Sequence, residues 1–336
     1  MNQRNNNLDF LRILAALAVI LLHVSAAVVT TKPDIYSVKW WTGNVADAFS
    51  RWCVPVFVMI SGALLLSGFS SSSPTDFYKK RAVRILPSIF FWTLVYTIFR
   101  WLIDRKFSVQ MAVTNIVQGV PHHHLWYLYM TLGLYFVTPF LHLLVSGSQL
   151  GGLRLLIVGS FIISTIEYVF GGRSVTFLPR FLPFIGYFLA GHYLLAHPDE
   201  FKAKASFFGI LAVACGAGIA VSTGALFPSL GARSWGIMYS YLNPVVIVMS
   251  VCLFLFFVRT ERSMAMHGFT QHLAPITLGI YVIHPLWLWG LAKLKITAFW
   301  SHPLIGIPLT TFLAFILSAI TAALLARIPI LRRTVS

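Results

Sequence analysis

Residues 9–30 read DFLRILAALAVILLHVSAAVVT. A helix rises 1.5 Å per residue, so roughly 20 such residues cross a hydrocarbon core about 30 Å thick. The stretch has that length, and it carries Asp9, Arg12 and His23 into an otherwise apolar run. Working outward, comparable apolar runs recur near 46–68, 84–103, 125–145, 154–170, 181–197, 206–223, 236–258, 273–293 and 304–326. The loops between them rarely exceed twenty residues, and none has the size of a separate domain. The sequence therefore predicts one all-α domain over 1–336, a polytopic transmembrane helical bundle of about ten spans.

Composition agrees. Of 336 residues, 58% are hydrophobic and only 10% are charged, and the mean hydropathy is +0.80. Soluble domains carry roughly 25% charged residues, so this chain lacks the polar side chains to coat a water-facing surface. An even number of spans puts both ends on one side. That side then holds Arg4, Arg12, Lys79, Lys80, Arg81, Arg84, Arg154, Lys202, Lys204, Arg259, Arg262, Arg327, Arg332 and Arg333, fourteen of the 25 basic residues. A mild bias of this kind predicts that both termini are cytoplasmic. The net charge of +16 is spread over many loops, which argues against nucleic acid and for anionic lipid headgroups or an anionic substrate as partners.

Other features are bland. Cys53, Cys215 and Cys252 fall inside apolar runs without metal-like spacing and read as packing residues. Val24-Ser25-Ala26 resembles a signal-peptide cleavage site, but the run continues past it and Asp9 and Arg12 lead into the helix, so the first span is expected to be retained. The Ser-rich stretch from Gly68 to Thr75 reads as a cytoplasmic linker.

Function is sought among the polar residues carried into the membrane, because each charge there costs roughly 2.5 to 3.5 kcal/mol. Arg12 and His23 are eleven residues apart, close to three helical turns, so they share a face about 16 Å apart along the axis. Asp9 sits one turn before Arg12. The second span carries Asp47 and Arg51 one turn apart, spaced to pair, with Arg51 at a depth similar to His23. Lys79-Lys80-Arg81-Ala82-Val83-Arg84 stands at the cytoplasmic entrance of the third, where Arg81 and Arg84 share a face and their forked donors suit phosphate. Glu167, Asn243 and His284 recur at comparable depths, and Trp126 marks the outer mouth of the fourth span. His142, His192 and His284 are each also explained by bonding between helices. His122, His123 and His124 are expected to fan around a helix, which would keep them from converging on one ion, so no metal is expected.

Taken together these residues resemble the membrane acyltransferase family 3, integral membrane proteins that O-acylate bacterial cell-surface sugars. The resemblance rests on Leu8-Asp9-Phe10-Leu11-Arg12 with His23 eleven residues on, Arg51-Trp52-Cys53-Val54-Pro55-Val56-Phe57 leading to Ser61-Gly62, the Arg81 and Arg84 pair, His124-Leu125-Trp126-Tyr127-Leu128, and Leu278-Gly279-Ile280-Tyr281-Val282-Ile283-His284. It spans essentially the whole chain. It implies a multi-pass protein of the bacterial inner membrane that takes acetyl from cytoplasmic acetyl-CoA, with no bound cofactor, and passes it to a hydroxyl of a glycan or lipid-linked sugar. Arg81 and Arg84, with Lys80 and Arg12, would hold the donor. His23 would act as general base or carry the acetyl group, with Arg51 at the oxyanion or acceptor and Asp47 positioning it. Trp126, Glu167, Asn243 and His284 would bind the acceptor. The competing reading is a transporter of an anionic metabolite or lipid-linked sugar, for which the sequence lacks the two similar halves that such bundles commonly show.

Overall fold

A computed structural model describes residues 6–31, 33–68, 73–103, 107–147, 150–170, 178–260 and 267–336, without the side chains of 167–170, 178 and 267. Arg4 and Arg262, counted above on the inner side, lie outside the described residues. Among those described there is no strand. The chain runs α1 (Asn6–Thr30), α2 (Val38–Ala48), α3 (Cys53–Ser67), α4 (Pro74–Ile103), α5 (Val109–Val117), α6 (Trp126–Gly147), α7 (Leu150–Phe170), α8 (Ile185–Ala196), α9 (Ala205–Leu230), α10 (Arg233–Met238), α11 (Pro244–Arg259), α12 (His267–Leu273), α13 (Thr277–Lys293), α14 (Pro303–Arg327) and α15 (Pro329–Val335).

Seven segments among the described residues are long and apolar enough to cross a membrane: Asn6–Thr30, Val38–Ser67, Pro74–Ile103, Trp126–Gly147, Ala205–Leu230, Gly268–Lys293 and Pro303–Arg327. Leu150–Ile166 and Pro244–Arg259 are shorter apolar helices, and α8 has only 12 residues. Seven of the ten expected spans coincide with these long apolar segments, and the other three fall on the shorter helices. Two of the short ones are cut by proline chemistry. The expected span at 181–197 begins as a tight turn over Leu178–Phe184 that contains Pro183. The one at 236–258 starts only at Pro244, because Asn243 caps the helix by accepting from Val245 N–H and proline suits the first helical position.

Lipid-facing surfaces are written in the helix period. On α14, Phe312, Ile316, Ile320 and Leu324 are spaced by four and each is more than half exposed. Phe90, Leu94 and Ile98 form the same stripe on α4. Apolar side chains exposed in such rows need hydrocarbon as solvent. The opposite arrangement holds for α1, whose Leu11, Ala15, Ala16, Ile20 and Val29 are fully buried, so the polar stripe of this helix runs through the centre of the bundle. Backbones approach closely where glycine permits it. A methyl group at Gly62 on α3 would sit 1.8 Å from the carbonyl oxygen of Phe188 on α8, and one at Gly191 on α8 would sit 1.9 Å from that of Met59.

Both ends of the described chain meet at one end of the bundle. Asn7 donates to the carbonyls of Phe257 and Thr260 at 3.3 and 3.0 Å. The turn of α15 is held to α4 by Ser88 Oγ–H and Trp92 Nε1–H, both donating to Thr334 O, at 3.0 and 2.9 Å.

Candidate active site

At the end of the bundle where α1 begins, a pocket of about 270 Å³ is lined by Arg12, Arg81, Arg84, Tyr127, Tyr281 and Ser336, among others. Arg12 is held by Asp9 at 3.6 Å. Arg81 stacks over the rings of Phe77 and Tyr135 at 5.4 and 6.0 Å, and its buried Nε has no hydrogen-bond partner. Three guanidinium groups thus converge on one space, with a buried donor to spare. Lys80 does not line it. It lies instead beside Arg84 on a neighbouring hollow of about 560 Å³ that also carries Arg327, Arg332 and Arg333. The last two are residues whose place near the pocket was not foreseen, since only the fold-back of α15 onto α4 brings them there.

Tyr127 and Tyr281, whose rings are 5.3 Å apart in an edge contact, form the inner end of the pocket. Behind them stands a group of five imidazoles. The His23 ring lies 5.2 Å from that of His284, stacked within 21°, and 5.0 Å from that of His123. His284 lies 5.5 Å from His124, and Tyr281 is 6.0 Å from His284. His23 therefore faces the protein interior and not lipid. It does not line the pocket; Tyr281, which does, lies 6.0 Å from His284, the ring stacked on His23.

The tautomer of His284 follows from its neighbour in sequence. Pro285 has no N–H, so the carbonyl of Tyr281 lacks its usual helical donor. His284 Nδ1–H fills that role at 2.6 Å, which leaves Nε2 with its lone pair. That atom is buried and has no hydrogen-bond partner.

The fan expected of the three consecutive histidines does not form, because they precede the helix and lie in a turn after Pro121, with α6 starting at Trp126. Their ligand nitrogens all lie within 4.8 Å of one another. Burial pushes the His122 imidazole down to about 3 and also lowers His124.

Farther along α1, a second cavity of about 390 Å³ is lined by Ala26, Asp47, Arg51, Trp235, Tyr239 and Tyr241, among others. Asp47 is 1% exposed and pairs with Arg51. Arg51 also donates to Tyr239 O at 3.3 Å and stacks 4.3 Å over the Tyr239 ring. The pair does not sit in one unbroken helix. Ser50, Arg51 and Cys53 N–H donate to the carbonyls three residues back, so the backbone tightens into a 3₁₀ pattern between α2 and α3. Ala26, one turn beyond His23, shares this cavity with Arg51.

The remaining expectations are mixed. Trp126 stacks on Tyr241 at 6.0 Å and 27°, at the edge of the second cavity. Asn243 is committed to structure, since Oδ1 caps α11 and Nδ2 donates to Ile237 O at 3.0 Å. The side chain of Glu167 lies outside the described residues. His142 and His192 bond to Leu66 O and Ser67 Oγ, respectively, as residues that join helices.

Comparison with known proteins follows the same line. A family model described as an acyltransferase domain matches residues 5–326, nearly the whole chain. The helices, the buried polar stripe and this match define a multi-pass membrane acyltransferase. The chain belongs to the acyltransferase domain family that this model describes. No curated protein and no solved structure gives a significant match.

Proposed function

We propose that the protein moves an acetyl group from cytoplasmic acetyl-CoA to a hydroxyl of a cell-surface glycan or its lipid-linked precursor, in the bacterial inner membrane, with both termini cytoplasmic and about ten passes. The observation that carries this reading is the line of sites along α1: a pocket of three arginines at its start, an imidazole in its outer half, and an Arg51-lined cavity one turn beyond. Acetyl-CoA carries a pyrophosphate and a 3′-phosphate. Arg12, Arg81 and Arg84 suit the first, and the hollow of Lys80, Arg327, Arg332 and Arg333 suits the second. The acceptor follows from resemblance alone: the chain resembles an enzyme that O-acetylates the N-acetylglucosamine of enterobacterial common antigen.

In this scheme the contact between Tyr127 and Tyr281 opens to admit the slender pantetheine arm, which brings the thioester to His23. As the acceptor oxygen attacks the thioester carbonyl, the imidazole takes the hydroxyl proton. The tetrahedral intermediate collapses with cleavage of the C–S bond, and the proton goes to the departing thiolate, giving the O-acetyl ester and free CoA. Arg51 stabilises the oxyanion or orients the acceptor, and Asp47 positions Arg51. His284, with its bare Nε2, and Trp126 line the acceptor side.

The test uses purified protein, acceptor and acetyl-labelled acetyl-CoA. His23→Ala is expected to lower label transfer by about 10² to 10⁴-fold while a fluorescent CoA analogue still binds. Label reaching acceptor at the normal rate would remove His23 from the chemistry, and absence of transfer by the unaltered protein with any sugar would overturn the reading.

A further inference from the structure

The turn ahead of α6 holds a cluster that the acyl-transfer scheme leaves unused. His122 Nδ1–H donates to His124 Nδ1 at 3.0 Å. Two imidazole nitrogens sharing one proton at this spacing are close to the N···N edge of about 3.3 Å around a tetrahedral ion with bonds of 2.0–2.1 Å. His124 is fixed from behind. Its Nε2–H donates to Val282 O at 3.3 Å, and the Tyr281 hydroxyl donates to its carbonyl. A ring nitrogen whose opposite N–H is held by a backbone carbonyl is how proteins orient a metal-binding histidine. His123 completes the group, its ring 4.3 Å from that of His122 and 5.4 Å from that of His124. On the far side is the unpartnered, fully buried Nε2 of His284.

We propose that His122, His123 and His124 bind one divalent transition ion of the zinc class, with a fourth position open toward His23 and His284. The donor set is three imidazoles, with no carboxylate among the three, which selects zinc, copper or nickel over magnesium and calcium. On binding, the proton on His122 Nδ1 moves to Nε2, and both Nδ1 lone pairs turn to the ion. Where the acyl-transfer reading also holds, an acceptor hydroxyl in the open position lies beside His23, and the ion makes its O–H more acidic. The metal site itself does not depend on that reading.

Protein purified in detergent is stripped with chelator, equilibrated with zinc, passed over a desalting column and assayed for zinc per chain. The unaltered protein is expected to retain about one ion with a first shell of imidazole nitrogen in zinc-edge X-ray absorption. The double variant His122→Gln, His123→Gln, which keeps the His124 anchors, is expected to bind at least about ten-fold more weakly. Its melting temperature without metal, equal to that of the parent, shows that it folds. A double variant that retains as much zinc as the parent, or a parent that retains none, overturns the proposal. Acetyl transfer is not the readout, so either result leaves the proposed reaction standing.

Discussion

Arg51 is where charge, burial and chemistry meet in a single side chain. One guanidinium pairs with the buried Asp47, reaches Tyr239 O and covers the Tyr239 ring. Lysine offers one ammonium and no planar fork, so Arg51→Lys should keep Asp47 paired but weaken orientation at the outer cavity. The expected result is a folded protein with reduced transfer. Arg51→Ala strands a carboxylate that is 1% exposed, and the cost is about 3 kcal/mol or more, read as a lowered melting temperature in detergent. Tyr127 yields a different prediction. Cutting it to alanine removes half of the aromatic pair between the inner pocket and His23, so acetyl-CoA hydrolysis without acceptor should rise. At this scale much was legible: the eleven-residue step from Arg12 to His23 follows from helix period, and Asp47 and Arg51 pair as their spacing suggests, although the backbone between them is 3₁₀ and not an unbroken α-helix. The neighbours of His23 were not, because His123 comes from a turn and His284 from α13, and no local pattern reports which rings meet across a bundle. Asn243 misled for a physical reason: a polar residue inside an apolar run marked a helix cap there, a signal that Asn before Pro carries on its own.

Packing between elements depends on a few close approaches. α3 and α8 touch backbone to backbone through Gly62 and Gly191. A side chain at either position meets a carbonyl oxygen of the other helix, and a backbone cannot swing away as a rotamer can. Gly191→Leu should therefore abolish recovery of monodisperse protein, while Gly218→Leu, where nothing lies within 4 Å of the added carbon, should be tolerated. A surface clasp gives a pH signature. Arg154 and Tyr193 both bond to Glu200, tying α7 to the turn after α8. The Tyr193 hydroxyl, followed by Arg154, holds the Glu200 carboxyl below its ordinary value of 4.5. A depressed carboxylate stabilises the fold above that value and loses its effect as pH falls through the folded one. Glu200→Gln should thus lower the melting temperature slightly at pH 7, and the difference should fade below pH 4.5. The helices themselves were readable from hydropathy. Their ends were not, since the 3₁₀ segment at Arg51, Pro183 and Pro244 each interrupts a run whose average hydropathy never falls.

Across the whole molecule the sites are ordered along the axis of α1. Basic residues from α1, α4, α14 and α15 gather at one end, imidazoles from α1, α13 and the turn before α6 lie beyond the tyrosine pair, and the Asp47–Arg51 cavity follows. In a donor titration, Arg81→Ala with Arg84→Ala should raise KM for acetyl-CoA at least ten-fold, about 1.4 kcal/mol. Arg332→Ala with Arg333→Ala should raise it for acetyl-CoA but not for its dephospho form. The basic entrance was visible in sequence as Lys79 to Arg84. The contribution of α15 was not, because a chain segment folded back over more than two hundred residues leaves no local trace.

The most direct measurement uses sealed proteoliposomes with labelled acetyl-CoA enclosed on the arginine side and a membrane-impermeant sugar acceptor supplied only outside. Label is expected in the external acceptor, with free CoA accumulating inside in equal amount, and both are expected to vanish in His23→Ala. Acetylation confined to acceptor enclosed with the donor would contradict an acetyl path running the length of α1.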